Sequence, residues 1–173
     1  MTSAETTATA SALASRLDRL ESAQAVRTVL ARYMLLCDQP CADRNFPQLP
    51  DLFADGAVWE GVGRHYEGSF GRHQGRAAIV AFVASYLAPS PHFARNLHFL
   101  TSDQVSVADD GATARGQWLM LQLSTYGGGG SEAITARLDV DFQRAGDGSW
   151  RIAHFRTERL ECMPWGVGKE ASA

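Results

Sequence analysis

No stretch of this chain approaches the roughly 18 consecutive apolar residues of a membrane span, so no transmembrane helix is expected. Basic runs are missing too. Lys and Arg number 16 against 19 Asp and Glu, giving a net charge of -3 with no lysine-rich face, which argues against nucleic acid as a partner. The opening MTSAETTATASALAS lacks the basic start and apolar centre of a secretion signal and reads as a partly disordered tail over residues 1–12. Cysteines are few. Cys37, Cys41 and Cys162 form an odd set without metal-ligand spacing, and reduced thiols in a cytoplasmic protein are the simplest account. His65 and His73 lie eight apart with no third spaced ligand, so no metal is expected there. The four glycines at 127–130 precede no Lys-Ser or Lys-Thr helix; they read as a hairpin tip, not a phosphate loop.

What is present is an ordinary globular composition, 45% hydrophobic and 20% charged over 173 residues, enough for one core. A single domain over residues 13–163, followed by a tail over 164–173, is the expected organisation. Leu13, Leu17 and Leu20 open a helical spacing that Val26, Leu30, Tyr33 and Cys37 continue as a buried stripe, in one bent helix or two short ones from about 11 to 38. Asp38 closes it. A carboxylate is mildly disfavoured at a helix C-terminus, so its charge calls for a match from elsewhere, such as a histidine or arginine on a strand.

Pro40, Pro47 and Pro50 make 39–50 a loop. DLFADGAVWEGVG then reads as a helical turn through Leu52 and Phe53, an Asp55-Gly56 turn, and a first strand from Ala57 to about Gly61. Residues 65–74 form a loop, hairpin or lid. Gly75 opens a helix with Ile79, Phe82, Val83, Tyr86 and Leu87 at helical spacing, ended by Pro89 and Pro91. From Asn96 the period changes to two: 96–107, 113–126, 132–144 and 150–162 are four strands joined by short glycine turns, an antiparallel meander. Helices first and a long sheet after predict an α+β domain, with the N-terminal helices packed in the concave face of a strongly curved, mostly antiparallel sheet.

The phrases RLESAQAVRTVLARYMLLCD, LPDLFADGAVWEG, GRAAIVAFV, NLHFLTS and GSWRIAHFR, in this order, resemble the SnoaL-like branch of the nuclear transport factor two superfamily. That is the cone-shaped, cystatin-like fold of scytalone dehydratase, polyketide cyclases and ketosteroid isomerase. The resemblance runs from about Leu17 to Leu160. Some lyases of the family oppose an aspartate at the end of the first helix to a histidine in the strand after the third; Asp38 and His98 match. Similar enzymes, among them a bile-acid dehydratase and a dehydrochlorinase, carry a tyrosine or lysine five positions before the aspartate and an arginine in the last strand, which Tyr33 and Arg156 match. The chain departs from scytalone dehydratase, which uses a second histidine: none lies in 119–126, and His154 is the available substitute.

An Asp-His pair in an apolar cavity makes a general base, the carboxylate fixing the tautomer and stabilising the imidazolium. With Tyr33 as donor to a developing enolate and Arg156 as charge stabiliser, the set suits proton abstraction beside a carbonyl. The alternative assignments are a core hydrogen bond for His98, a loop cap for Asp38, and a surface ion pair of Arg156 with Glu158 or Glu132. Strict alternation through 150–160 puts Trp150, Ile152, His154, Arg156 and Glu158 on one cavity-facing side. Trp59, Phe53, Tyr86, Trp118 and Leu121 are candidates for the substrate wall, Trp59 foremost, with His92 at the mouth. The expected function is a cofactor-independent dehydratase, lyase or isomerase acting on a hydrophobic cyclic or polyketide-like molecule. The competing class is a non-catalytic binder or an accessory subunit like the small subunit of a ring-hydroxylating dioxygenase. Ala153, Phe155, Leu138 and Val140 are expected on an outer sheet face that a second copy covers, in a homodimer or homotrimer.

Overall fold

The computed structural model describes residues 3–38, 48–86 and 92–166. One uninterrupted helix, α1 (Ser3–Cys37), is followed by a 3-10 turn (Pro50–Leu52), β1 (Phe53–Val62), β2 (Arg72–Gln74) and α2 (Arg76–Ala84). Four long strands complete the chain: β3 (Phe93–Val107), β4 (Thr113–Tyr126), β5 (Ser131–Arg144) and β6 (Trp150–Pro164). They form one six-stranded sheet in the order β2-β1-β6-β5-β4-β3. Every neighbouring pair is antiparallel except β1 and β6, which run parallel. The architecture is the expected α+β one, with both helices packed on a mostly antiparallel sheet. The proline loop at 39–47, Leu87, Pro89, Pro91 and Cys41 lie outside the described residues.

Helix α1 begins well ahead of its expected start, so most of the stretch read as a disordered tail is helical, with its residues exposed from Glu5 to Leu17. Its second half carries the buried stripe: Val26, Leu30 and Tyr33 are at most 4% exposed. An exposed clasp from Arg27 Nε to Asp103 (2.6 Å) ties that half to β3.

In β1 and β6, three irregularities decide which side chains face the helices. In β1 the register slips between Phe53 and Val58, so Asp55 and Gly56 form a bulge within the strand instead of a turn before it. The bulge anchors α2: Arg76 donates from Nε to the Phe53 carbonyl (3.0 Å) and pairs with Asp55 (2.8 Å). In β6, Ile152 pairs with Phe142 but His154 with Asp141, leaving Ala153 as an extra residue; Leu160 is extra in the same way between Arg159 and Glu161. A bulge reverses the facing of everything beyond it. Trp150 and Ile152 therefore face the core, as alternation predicts, but beyond Ala153 it is Phe155 and Thr157 that point inward, while His154 and Arg156 point outward.

The same parity corrects the expected outer face. Leu138 and Val140 are fully buried and Phe155 is buried with them, all three on the core side. The apolar side chains that do face outward lie on β3 and β4: Leu97, Phe99 and Leu119 are exposed, with Leu97 paired to Leu123 and Phe99 to Leu121.

Candidate active site

The two helices and the inner face of the sheet enclose a pocket of about 120 Å³. About half of its wall is aromatic. Tyr33, Met34 and Cys37 come from α1, Trp59 from β1, Tyr66 and Phe70 from the turns after β1, and Phe82, Val83 and Tyr86 from α2 and its end. Trp59 is the hub, stacked on Phe155 (5.6 Å between centroids, 14° between planes) with Phe70 and Phe82 against its other sides. Gly61 lets this wall close up. A Cβ there would lie 2.8 Å from the Phe70 Cβ and 3.1 Å from Tyr66, closer than carbon atoms pack.

One end of the pocket is polar, built from inward positions of β3 and β4: Asn96, His98 and Gln122. His98 is the point of contact with α1. The last helical bond of α1, from Asp38 N–H to the Met34 carbonyl (2.9 Å), holds Asp38 at the helix end. From there Asp38 Oδ1 accepts from His98 Nδ1 (2.6 Å) and from the His98 backbone N–H (3.0 Å). Both side chains are largely withdrawn from solvent, at 9% and 16% exposure for histidine and aspartate. The carboxylate only accepts, so Nδ1 carries a proton; in the neutral ring Nε2 then holds the lone pair.

Tyr33 sits one helical turn before Cys37, and its phenol oxygen accepts from Trp59 Nε1 (2.9 Å). Burial holds the Tyr33 phenol well above its ordinary range and pushes the Cys37 thiol up to about 12. Tyr33 is thus a neutral donor at physiological pH, and Cys37 is too protonated to serve as a nucleophile.

A SnoaL-like domain model matches residues 18–156. The chain belongs to that family. No curated protein matches the sequence. Among solved structures, this SnoaL-like chain is similar to the LinA-type3 hexachlorocyclohexane dehydrochlorinase of Novosphingobium barchaimii LL02, with a TM-score of 0.72 at 19% identity over 91% of this chain and 99% of that one. It is also similar to a candidate scytalone dehydratase of Novosphingobium aromaticivorans (TM-score 0.69, 13% identity, 86% and 91% covered). An NTF2-like protein with a cystatin-like fold from the same organism gives 0.65 at 24% identity, with 86% and 88% covered. At these identities the likeness is one of fold.

Of the residues singled out from sequence, the SnoaL-like fold brings Asp38, His98, Tyr33, Trp59 and Tyr86 together around the pocket. Others lie elsewhere. Phe53 is fully buried core against the Tyr33 ring. Trp118 folds over Gly116, where a Cβ would sit 2.1 Å from the indole, and fills the core beside Phe142. Leu121 has outward parity on β4. His92 packs its ring on Tyr86, Phe93 and Tyr126 beside the pocket lining. His154 and Arg156, turned out by the Ala153 bulge, join a cluster on the outer face: His154 Nε2 meets Glu60 (2.7 Å), and Arg156 Nη2 donates to Asp141 (2.5 Å) and to His154 Nδ1 (3.0 Å). His73, one of the histidines weighed for metal, hydrogen-bonds the Phe70 carbonyl (2.8 Å) and stacks on Phe82.

Sequence reasoning passed over Asn96 and Gln122. Their signal was parity: Asn96 lies two residues before His98, and Gln122 is two beyond Met120 and directly opposite His98. It also passed over Arg159, which takes inward parity after Ala153, with its guanidinium 5.0 Å above the Tyr66 ring.

Proposed function

We propose that this SnoaL-like protein is a cofactor-independent acid-base enzyme that removes a proton beside a carbonyl of a hydrophobic cyclic molecule, leading to elimination or isomerisation. The observation that carries the reading is the 2.6 Å contact of Asp38 with His98 Nδ1 at the wall of an aromatic pocket. Asp38 holds the ring so that Nε2 is the base, and its charge stabilises the imidazolium once the proton has moved. Tyr33 donates its hydroxyl proton in a hydrogen bond to the substrate oxygen and stabilises the enolate, with Trp59 Nε1 holding the phenol in place. The imidazolium then returns the proton, to the leaving group in an elimination or to another carbon in an isomerisation. The dehydrochlorinase and dehydratase names among the structural neighbours support elimination as the leading reaction. The size of the pocket, comparable to the roughly 150 Å³ cavity that takes up benzene, supports a single ring at the base.

A homodimer or homotrimer is part of the proposal, with a second copy covering the outward Leu97, Phe99 and Leu119.

The test is proton exchange in D2O with a panel of cyclic ketones, with and without a β-leaving group. Wild type is expected to wash deuterium into the α-carbon and to eliminate the leaving group, while His98→Gln does neither. A wild type that binds these ketones yet exchanges nothing belongs with the non-catalytic binders.

A further inference from the structure

Beside His98 the pocket carries a second polar group that the acid-base reading leaves unused. Asn96, Gln122 and Ser124 close a triangle across β3 and β4. Gln122 Nε2 donates to Asn96 Oδ1 (3.0 Å) and to Ser124 Oγ (2.9 Å), and Ser124 Oγ donates to Asn96 Oδ1 (2.8 Å). Asn96 and Ser124 are buried, at 4% and 1% exposure, while Asn96 and Gln122 both line the pocket. Register fixes the arrangement: Asn96 is opposite Ser124, and His98 is opposite Gln122. Side chains directly opposite on an antiparallel pair have Cβ atoms about 5 Å apart, so the triangle flanks the imidazole.

The triangle's own bonds leave a definite remainder. Gln122 spends its amide protons and Asn96 its carbonyl lone pairs, and among the described residues nothing accepts from Asn96 Nδ2 or donates to Gln122 Oε1. If both amides are turned over, the triangle still closes, with Asn96 donating twice and Gln122 accepting twice; Asn96 then offers the spare carbonyl and Gln122 the spare NH2. Either way one amide donor and one amide acceptor remain, on two pocket-lining side chains held by each other. Both spare groups keep accessible surface on side chains that line the pocket, so a ligand can reach them.

We propose that this triangle is a two-pronged recognition site for a hydroxy-carbonyl unit. Its spare NH2 donates to the carbonyl oxygen of the ligand and its spare amide oxygen accepts from a hydroxyl of the same ring. The substrate class narrows accordingly, from cyclic ketones in general to monocyclic ketones carrying a hydroxyl one or two carbons from the carbonyl. The inference rests on the acid-base reading for its setting, because the triangle would place such a ring against His98. A purely structural triangle, serving only to lock β3 to β4, would make no distinction among ligands.

The test uses three probes of equal size: 3-hydroxycyclohexanone, 3-methylcyclohexanone, which lacks the hydroxyl, and 3-methylcyclohexanol, which lacks the carbonyl. Dissociation constants are measured by calorimetry in His98→Gln, where turnover does not consume the ligand, and by stopped-flow tryptophan fluorescence in wild type. The hydroxy ketone is expected to bind about tenfold more tightly than either analogue, since each analogue keeps one prong's partner and forfeits one hydrogen bond. Gln122→Met, similar in size but unable to pair, removes one prong and should bring one of the two analogues within about twofold of the hydroxy ketone, and Ser124→Ala, which breaks the triangle and removes neither prong, should fall between that variant and wild type. Equal binding of the three probes by wild type, or full discrimination by Gln122→Met, would overturn the site. Turnover without discrimination overturns the site and leaves the acid-base reading standing. Discrimination without turnover supports the site and removes the acid-base reading.

Discussion

Replacing Asp38 by Asn is the most discriminating single change, because the geometry lets it remove a charge and little else. Both donors from His98, the ring Nδ1–H and the backbone N–H, converge on the same oxygen, Oδ1. An asparagine carbonyl in that position accepts both, so ring orientation and tautomer survive. What is lost is attraction between the carboxylate and the imidazolium formed when the base takes its proton. With charge centres about 4 Å apart and an effective dielectric near 20, that attraction is about 4 kcal/mol. At about 1.4 kcal/mol for each tenfold in rate, the proton-transfer step slows by about a thousandfold. The folded protein loses at most one charge-assisted hydrogen bond's advantage over a neutral one, about 1 kcal/mol, so the melting temperature should fall by only about 2–4 °C. The assay is single-turnover deuterium incorporation into a cyclic ketone, with thermal unfolding followed by circular dichroism. Asp38→Asn exchanging within about threefold of wild type would remove the carboxylate from the mechanism.

Four other outcomes are expected. Tyr33→Phe removes the enolate donor and should lower turnover by about a hundredfold or more; it also leaves the Trp59 N–H without its acceptor, lowering stability by about 1–3 kcal/mol in urea titrations. Arg156→Met should cost about 1–3 kcal/mol of stability through Asp141 and His154 on the outer face, with turnover within about twofold of wild type; a collapse of activity would return the residue to the site. Cys37 stays protonated in the folded protein to about 12 but ionises near 9 when unfolded, so its contribution to stability is complete below pH 9 and is lost as pH rises toward 12. Unfolding titrations of Cys37→Ala should therefore show a shallower alkaline decline, by up to about 1.4 kcal/mol per pH unit, and an unchanged slope would contradict the burial argument. Light scattering should give a multiple of the 18.8 kDa chain mass, and Phe99→Arg should return the protein to that mass; a wild-type monomer would refute the outward patch as a self-association surface.

Local rules were enough for much of the fold. The four long strands begin and end within about three residues of the positions that alternation and glycine turns mark, and the Val26–Cys37 stripe faces the core at helical spacing. The meeting of Asp38 and His98 was legible because Asp38 stood out as a carboxylate at the wrong end of a helix, and the family resemblance supplied the histidine to match it. Facing was lost wherever the count of residues in a strand changed. Nothing in the stretch WRIAHF flags Ala153 as an extra residue, since a bulge is a property of two strands and their joint register, and so His154 and Arg156 were assigned to the wrong side. Trp118 escaped for another reason: its place in the core depends on a bare backbone at Gly116, two residues away on the same strand. Asn96, Gln122 and Ser124 are unremarkable one at a time, and acquire meaning only when β3 and β4 are laid side by side.

The Ala153 bulge makes the end of β6 behave like a message with a shifted reading frame. Upstream of it one set of alternate letters is spoken to the core; downstream the other set is, and the charged letters His154 and Arg156 are spoken to the solvent instead. Were Ala153 paired in the ladder instead of bulged, Phe155 would turn from the pocket and His154 and Arg156 toward it, with no letter of the sequence changed. The wall that this strand gives the pocket is therefore set by register as much as by letter, and last strands in this fold are to be compared by facing before they are compared residue by residue.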